Sequence, residues 1–199
     1  MKTALLIPAV LAAVAAPAFA DAAHYSLDVS HTFVSFEAPH IAGISIWRGK
    51  FARTRPGTIV LDRAAKTGSM DIVIDMTSVD TGLAKLDEHL QSPDFFDAAK
   101  YPTAEYKASK IKFSGETPTE IDGDLTMHGV TKPVALKVNT FKCIVHPMLK
   151  VPYCGADASA TINRADFGMG YGVDMVGSPE VKLAIQVEAK QDDAAPAAK

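Results

Sequence analysis

Between Asp87 and Pro102 the chain reads DEHLQSPDFFDAAKYP, setting His89 beside Asp87 and Glu88 and following it with Asp94 and Asp97. An imidazole among carboxylates can hold a metal or work as an acid–base pair. The same stretch carries Phe95 and Phe96, which suit a helical cover over an apolar interior. Spacing weighs against the metal, because residues 87, 88 and 89 diverge around a helix axis and do not converge on one ion. The six histidines, His24, His31, His40, His89, His128 and His146, form no H-x-H, H-x-x-x-H or H-E-x-x-H.

Two other stretches invite chemistry. FGMGYG, with Gly168, Gly170 and Gly172, looks like a dinucleotide loop, but that fingerprint needs a helix after the glycines, and VDMVGSPEVKLAIQV reads as passage into a strand. No G-x-S-x-G occurs, and serine, histidine and acid residues are too common for a triad to be drawn from them. CIVHPMLKVPYC offers Cys143, His146, Met148 and Cys154 as a copper site or a redox dithiol. The C-x-x-C spacing that tunes reactive dithiols is missing. The blander expectation is a disulfide, Cys143–Cys154, closing a short surface loop and contributing about 3 kcal/mol in the chain-entropy account.

The elements around these residues read mainly as strands. Residues 1–20 form a secretory leader, with Lys2 ahead of a short apolar run and Ala18-Phe19-Ala20 as a small-x-small cleavage point. The run is shorter than the roughly 20 residues a membrane span takes. Cleavage after Ala20 leaves a barrel domain over 21–190, a solvated tail over 191–199, and a periplasmic location in which a disulfide is at home. The net charge of −3, with Lys and Arg scattered, gives no basis for nucleic acid or an anionic membrane surface as partner. No stable membrane anchor is expected, and a homodimer is left open.

Period-two alternation recurs in MDIVIDM, IDGDLTM, VALKVNTF, ADASATI and VKLAIQVEA, separated by Pro56-Gly57, Thr67-Gly68, Ser114-Gly115 and His128-Gly129. This predicts an all-β antiparallel sheet, closed as a barrel or packed as a sandwich. Helical signal is confined to the opening stretch. Leu83 to Gln91 fits one short helix with Leu83, Leu86 and Leu90 on one face, and Ser92-Pro93 fits the start of a second.

One face of the strands carries Val34, Phe36, Ile44, Ile46, Phe51, Ile72, Ile74 and Met76, then Leu125, Met127, Leu136, Val138, Leu183 and Ile185. Phe95 and Phe96 join them from the helical insert. A closed barrel of about eight strands can be filled by such side chains or can hold one small ligand. The pattern leaves both fillings open.

The chain resembles the YceI family of exported lipocalin-like proteins. The matching blocks are YSLDVSHTFVSFEAPHI, GKF (Gly49 to Phe51), SVDT (Ser78 to Thr81), HLQSPDFFDAAKYP, GDLTMHGVTKPV and INRADFG, running in order from Tyr25 to Ala189. The resemblance implies an extended antiparallel lipocalin-like barrel with a short helical insert. It also implies an apolar tunnel for a polyisoprenoid lipid, such as an isoprenoid quinone or its precursor; fatty acids or their amides are the alternative cargo, and a periplasmic lipid-modifying enzyme the alternative function. The sixteen apolar residues named above would line the tunnel. His31, His89 and Arg164 are the candidates for orienting a headgroup. The family brings no catalytic residues, no cofactor beyond the bound lipid and no metal. The CIVHPMLKVPYC insert departs from many relatives and stands to reshape one rim.

Overall fold

The computed structural model describes residues 22–192. The expected leader, its cleavage point and most of the expected tail lie outside the described residues. The strands are β1 (Ala23–Leu27), β2 (Phe33–His40), β3 (Ser45–Phe51), β4 (Thr58–Asp62), β5 (Thr67–Asp75), β6 (Val79–Asp80), β7 (Thr103–Ser114), β8 (Thr117–Met127), β9 (Val130–Val145), β10 (Pro152–Asn163) and β11 (Glu180–Gln191). Helix α1 spans Ala84–Gln91 and α2 spans Val173–Val176.

Among the described residues, every named strand pairing is antiparallel, and β1-β4-β5-β7-β8-β9-β10-β11 closes on itself through β1–β11. The all-β barrel expectation holds, and closure removes the sheet edges of those eight strands. The barrel is elongated because β11 uses one edge twice. Its C-terminal residues pair with β1, as Leu27 faces Ala189, and its earlier residues pair with β2, as Phe36 faces Leu183. Strand β3 then joins β2, and an isolated Thr54–Ile74 bridge ties the chain after β3 to β5, closing this lower half too.

Alternation explains which residues face in. On β8, Ile121, Leu125 and Met127 are buried; on β5, Ile72 and Ile74; on β10, Ala158 and Ile162. On β7 the faces blur because the register shifts between Ala108 and Lys110, so Ala104, Tyr106 and Ala108 point inward and then Ile111 does. One extra residue inverts the parity. The β8–β9 hairpin turns on His128-Gly129, both at positive φ (53° and 74°), the pattern a two-residue turn needs.

Two local expectations are corrected. Ser92-Pro93 does not start a second helix; residues 92–96 form turns, with the Ser92 hydroxyl donating back to the His89 carbonyl at 2.7 Å. The glycine stretch does not run straight into a strand: Gly172 precedes the single turn α2, and only then does β11 begin. The last strand also runs to Gln191, one residue past the expected domain end, and the Asp192 amide bonds to the His24 carbonyl at 2.9 Å. No helix among the described residues is long and apolar enough to cross a membrane.

Candidate functional site

At the α1 end of the barrel the inward side chains leave a cavity of about 510 Å³, a size suited to a small-molecule ligand. Strands supply Phe36, Trp47, Phe51, Met127, Ile162, Val181 and Leu183 to its wall. The cover comes from α1 and the turns after it, through Leu83, Leu86, Leu90, Phe95 and Phe96. The β10–β11 loop adds Arg164, Met169, Tyr171 and Met175. Phe36 and Phe51 lie 5.8 Å apart between ring centroids and Phe51 and Phe96 5.4 Å, so an aromatic row links the strand wall to the cover.

A second cavity of about 90 Å³ lies further along the barrel, between Ile72, Leu136, Val138, Phe141, Cys154 and Ile185 among others. Leu183 faces the larger space and Ile185, the next inward residue of β11, the smaller one. Ile74, Leu125 and Tyr106 are buried and line neither space. Register places them as a layer between the two, since Ile72 and Ile121 border the small cavity and Met127 the large one.

The sixteen expected tunnel residues therefore separate. Phe36, Phe51, Phe95, Phe96, Met127 and Leu183 line the large cavity; Ile72, Leu136, Val138 and Ile185 line the small one. Ile74, Met76 and Leu125 are buried core, and Val34 packs against it. Ile44 and Ile46 are corrections: they are 83% and 43% exposed. Ile44 follows the turn Ile41–Gly43, and on β3 the inward parity set by Phe51 selects Trp47 and Gly49, which leaves Ile46 outside. The same parity turns Trp47 inward, a lining residue absent from the expected set.

The three headgroup candidates also part. His31 is exposed at the corner between β1 and β2, its Nδ1 2.8 Å from Asp28 Oδ2, and it lines neither cavity. Residues 28–32 leave the wall as the chain passes from β1 to β2, so this candidate is misplaced. His89 is half-buried at the rim, with Nε2 3.1 Å from Asp94 Oδ2 and its ring edge-on to Phe95 and Tyr171. Arg164 is buried in the cavity wall; its Nη1 donates to the Met169 carbonyl at 2.6 Å and its Nη2 to that of Tyr171 at 2.7 Å. Burial pulls its pKa below the ordinary guanidinium value.

Away from the cavity, Asp28 Oδ1 accepts from the Ser30 amide at 2.9 Å, and Oδ2 accepts from the Tyr153 hydroxyl. Desolvation raises the Asp28 pKa, but the hydrogen bonds from Ser30, Tyr153 and His31 outweigh it and hold the carboxyl well below its usual range. Asp28, His31 and Glu188 bring potential ligand atoms within 4.8 Å of one another, yet Asp28 and His31 bond to each other there. Cys143 and Cys154 face each other across β9 and β10 as a disulfide, 4.0 Å between Cα atoms. Their sulfurs are thus bonded together, and His146 Nδ1 accepts from the Met148 and Leu149 amides at 3.3 and 3.1 Å. The disulfide takes both thiolates out of the copper reading, and His146 Nδ1 is occupied by the two loop amides.

Residues 25–189 match the YceI-like domain family. The chain belongs to the YceI family. Its YceI domain is 36% identical over 140 residues to a UPF0312 protein of Vibrio parahaemolyticus, covering 69% of this chain and 73% of that one. A UPF0312 protein of Pseudomonas putida is 37% identical over 158 residues, covering 75% and 78%. Among solved structures, the YceI protein of Campylobacter jejuni superposes with a TM-score of 0.64 at 26% identity, over 75% of this chain and 88% of that one. BcnA of Burkholderia cenocepacia (TM-score 0.65, 22% identity, 81% and 98% coverage) shares the YceI fold. So does a polyisoprenoid-binding domain from Saccharophagus degradans (0.60, 17%, 84% and 98%).

Proposed function

We propose that the protein is an exported lipid-binding protein that holds the tail of one polyisoprenoid, an isoprenoid quinone or its precursor, in the larger cavity and carries or stores it. The observation that carries this reading is the cavity itself, walled by aromatic and aliphatic side chains and covered by an amphipathic helix. Burying an apolar tail there is favourable by about 25 cal/mol per Å² removed from water. Met127, Met169 and Met175 are flexible and polarizable, which suits a branched tail of irregular outline. Membership of the YceI family, and the polyisoprenoid-binding domain among its structural neighbours, support a binding role and this ligand class.

Export to the periplasm is supported by the leader-like residues 1–20 and by the disulfide, a bond that persists in oxidising compartments. The binding reading is tested by adding a long-chain isoprenoid quinone to delipidated protein and measuring co-elution in gel filtration. Quinone travelling with the protein near one per chain supports it, and quinone eluting apart from the protein refutes it.

A further inference from the structure

The hairpin that joins β9 to β10 runs past the barrel wall. Strand β8 last pairs with β9 at Lys137 and β11 last pairs with β10 at Tyr153, so neither neighbour follows the hairpin out to its turn over 146–150. The Cys143–Cys154 disulfide staples its base. Past that staple the ribbon stops being one-sided. Ile144 and Val145 are successive strand residues, so their side chains point to opposite faces, yet both are exposed, as are Met148 (81%) and Leu149 on the turn. Lys142 and Lys150 flank these four side chains, exposed and in no ion pair among the described residues. No acid occurs from residue 125 to residue 156. Asp28, which accepts from the Tyr153 hydroxyl, and Glu188, opposite Gly155, stand at the base beside the disulfide. The turn also asks little of water. The His146 amide donates to the Val151 carbonyl at 2.8 Å and the Lys150 amide to that of His146 at 2.9 Å. The Met148 and Leu149 amides donate to His146 Nδ1, and Pro147 has no N–H. Every amide donor over 146–150 thus has a partner inside the hairpin, the condition for leaving water without an unsatisfied group.

We propose that this hairpin docks the protein on an anionic lipid bilayer: Ile144, Val145, Met148 and Leu149 enter the boundary between headgroups and acyl chains, and Lys142 and Lys150 meet lipid phosphates beside them. Three observations select a bilayer over a protein groove. A groove covers one face of a ribbon, whereas this tip is apolar on both faces, as suits a medium that surrounds it. The amides of the turn are bonded internally, so the tip brings no row of free donors for a partner's backbone to pair with. The charge that flanks the apolar tip is of one sign, and lysine stems lie along apolar surface while their ammonium groups stay at the level of the phosphates. The net charge of −3 over the whole chain hides this local excess. The contact is peripheral and reversible, since only a hairpin tip enters the boundary. It also lies at the end of the barrel where Phe141 and Cys154 border the smaller cavity, away from α1, and it holds whether or not the larger cavity carries lipid.

The test is co-sedimentation of the purified, oxidised protein with vesicles of phosphatidylethanolamine and phosphatidylglycerol, against vesicles of phosphatidylcholine alone. The wild type should sediment with the anionic vesicles and more weakly with the zwitterionic ones. Met148→Ser/Leu149→Ser should weaken anionic-vesicle binding by at least about tenfold, because it removes most of the apolar surface that would leave water. Lys142→Gln/Lys150→Gln should weaken it by about fivefold per lysine, the scale of one cation near an anionic surface, and should leave binding to phosphatidylcholine unchanged. Should the serine variant fail to fold by circular dichroism, the wild type and the lysine variant decide. A wild type that sediments with neither vesicle overturns the proposal, and so does anionic-vesicle binding that both variants keep in full, since another surface is then responsible. Equal affinity of the wild type for the two vesicles overturns the choice of an anionic bilayer. Self-association of the wild type in sedimentation velocity that the serine variant loses, without vesicle binding, would make the tip a contact between two copies of this chain and also overturn the proposal.

Discussion

The hydroxyl of Tyr106, on β7, donates to the main-chain carbonyl of Val134, on β9, at 2.8 Å, reaching across β8 to do so. The Ile121 carbonyl is also within reach at 3.0 Å. Gly123 makes the crossing possible, since a Cβ there would stand 2.6 Å from the tyrosine Cζ and from the Lys107 carbonyl oxygen. This pair pins three strands together in the layer that separates the two cavities. Tyr106→Phe should cost about 1–3 kcal/mol by leaving a buried carbonyl without its donor, and Gly123→Ala a similar amount by overpacking. Denaturant melts of the two variants check both figures, and a midpoint unchanged from wild type would refute the crossing.

Filling the large cavity should abolish uptake while altering the surface should not. Leu183→Trp projects into the cavity and is expected to weaken isoprenoid binding by at least about tenfold, equivalent to about 1.4 kcal/mol. Ile44→Ser, at a side chain that is 83% exposed, should shift stability by no more than about 0.5 kcal/mol and leave uptake as in wild type. Titration of a fluorescent polyene lipid distinguishes them.

The disulfide should contribute measurably to stability. Cys143 and Cys154 are 11 residues apart in sequence and join adjacent strands beside the smaller cavity. The double variant Cys143→Ser/Cys154→Ser should lose about 2–4 kcal/mol. Reducing agent should bring the wild type to the same midpoint in urea and leave the double variant where it was.

The β1–β2 corner should respond to pH in two directions. The folded-state pKa of Asp28 is depressed, so its contribution is present above the unfolded carboxyl value and is lost as pH falls through the lower folded one. His31 is raised, chiefly by its hydrogen bond to Asp28. Its contribution is therefore complete below the unfolded imidazole value near 6.5 and is lost as pH rises through the higher folded one. Asp28→Asn should remove the carboxylate and return the His31 titration toward its ordinary value, read by NMR of the imidazole. A His31 titration unmoved by this substitution would mean the pair does not form in solution.

Much of the barrel was legible because burial on one face of a strand writes itself as alternation. Met70, Ile72 and Ile74 on β5, and Val181, Leu183 and Ile185 on β11, are in phase from sequence alone. Errors arose where the phase is reset. Ile44 and Ile46 look like core by composition, but the turn at Ile41–Gly43 breaks the count and Phe51 fixes the opposite parity. The register shift after Ala108 is likewise invisible to a rule of two. Arg164, Tyr171 and Met175 reach the cavity only through the loop between β10 and β11, a placement that no local pattern encodes. Composition also could not separate a filled barrel from a hollow one, because the residues that border the cavity and those that fill the layer at Ile74 and Leu125 are the same types.

The most direct test of lipid binding is organic-solvent extraction of the protein purified without added lipid, followed by mass spectrometry of the extract. The account predicts a single class of long-chain lipid at close to one molecule per chain, diminished in Leu183→Trp. An extract without such lipid, from protein that also takes up none when isoprenoid is supplied, would contradict it.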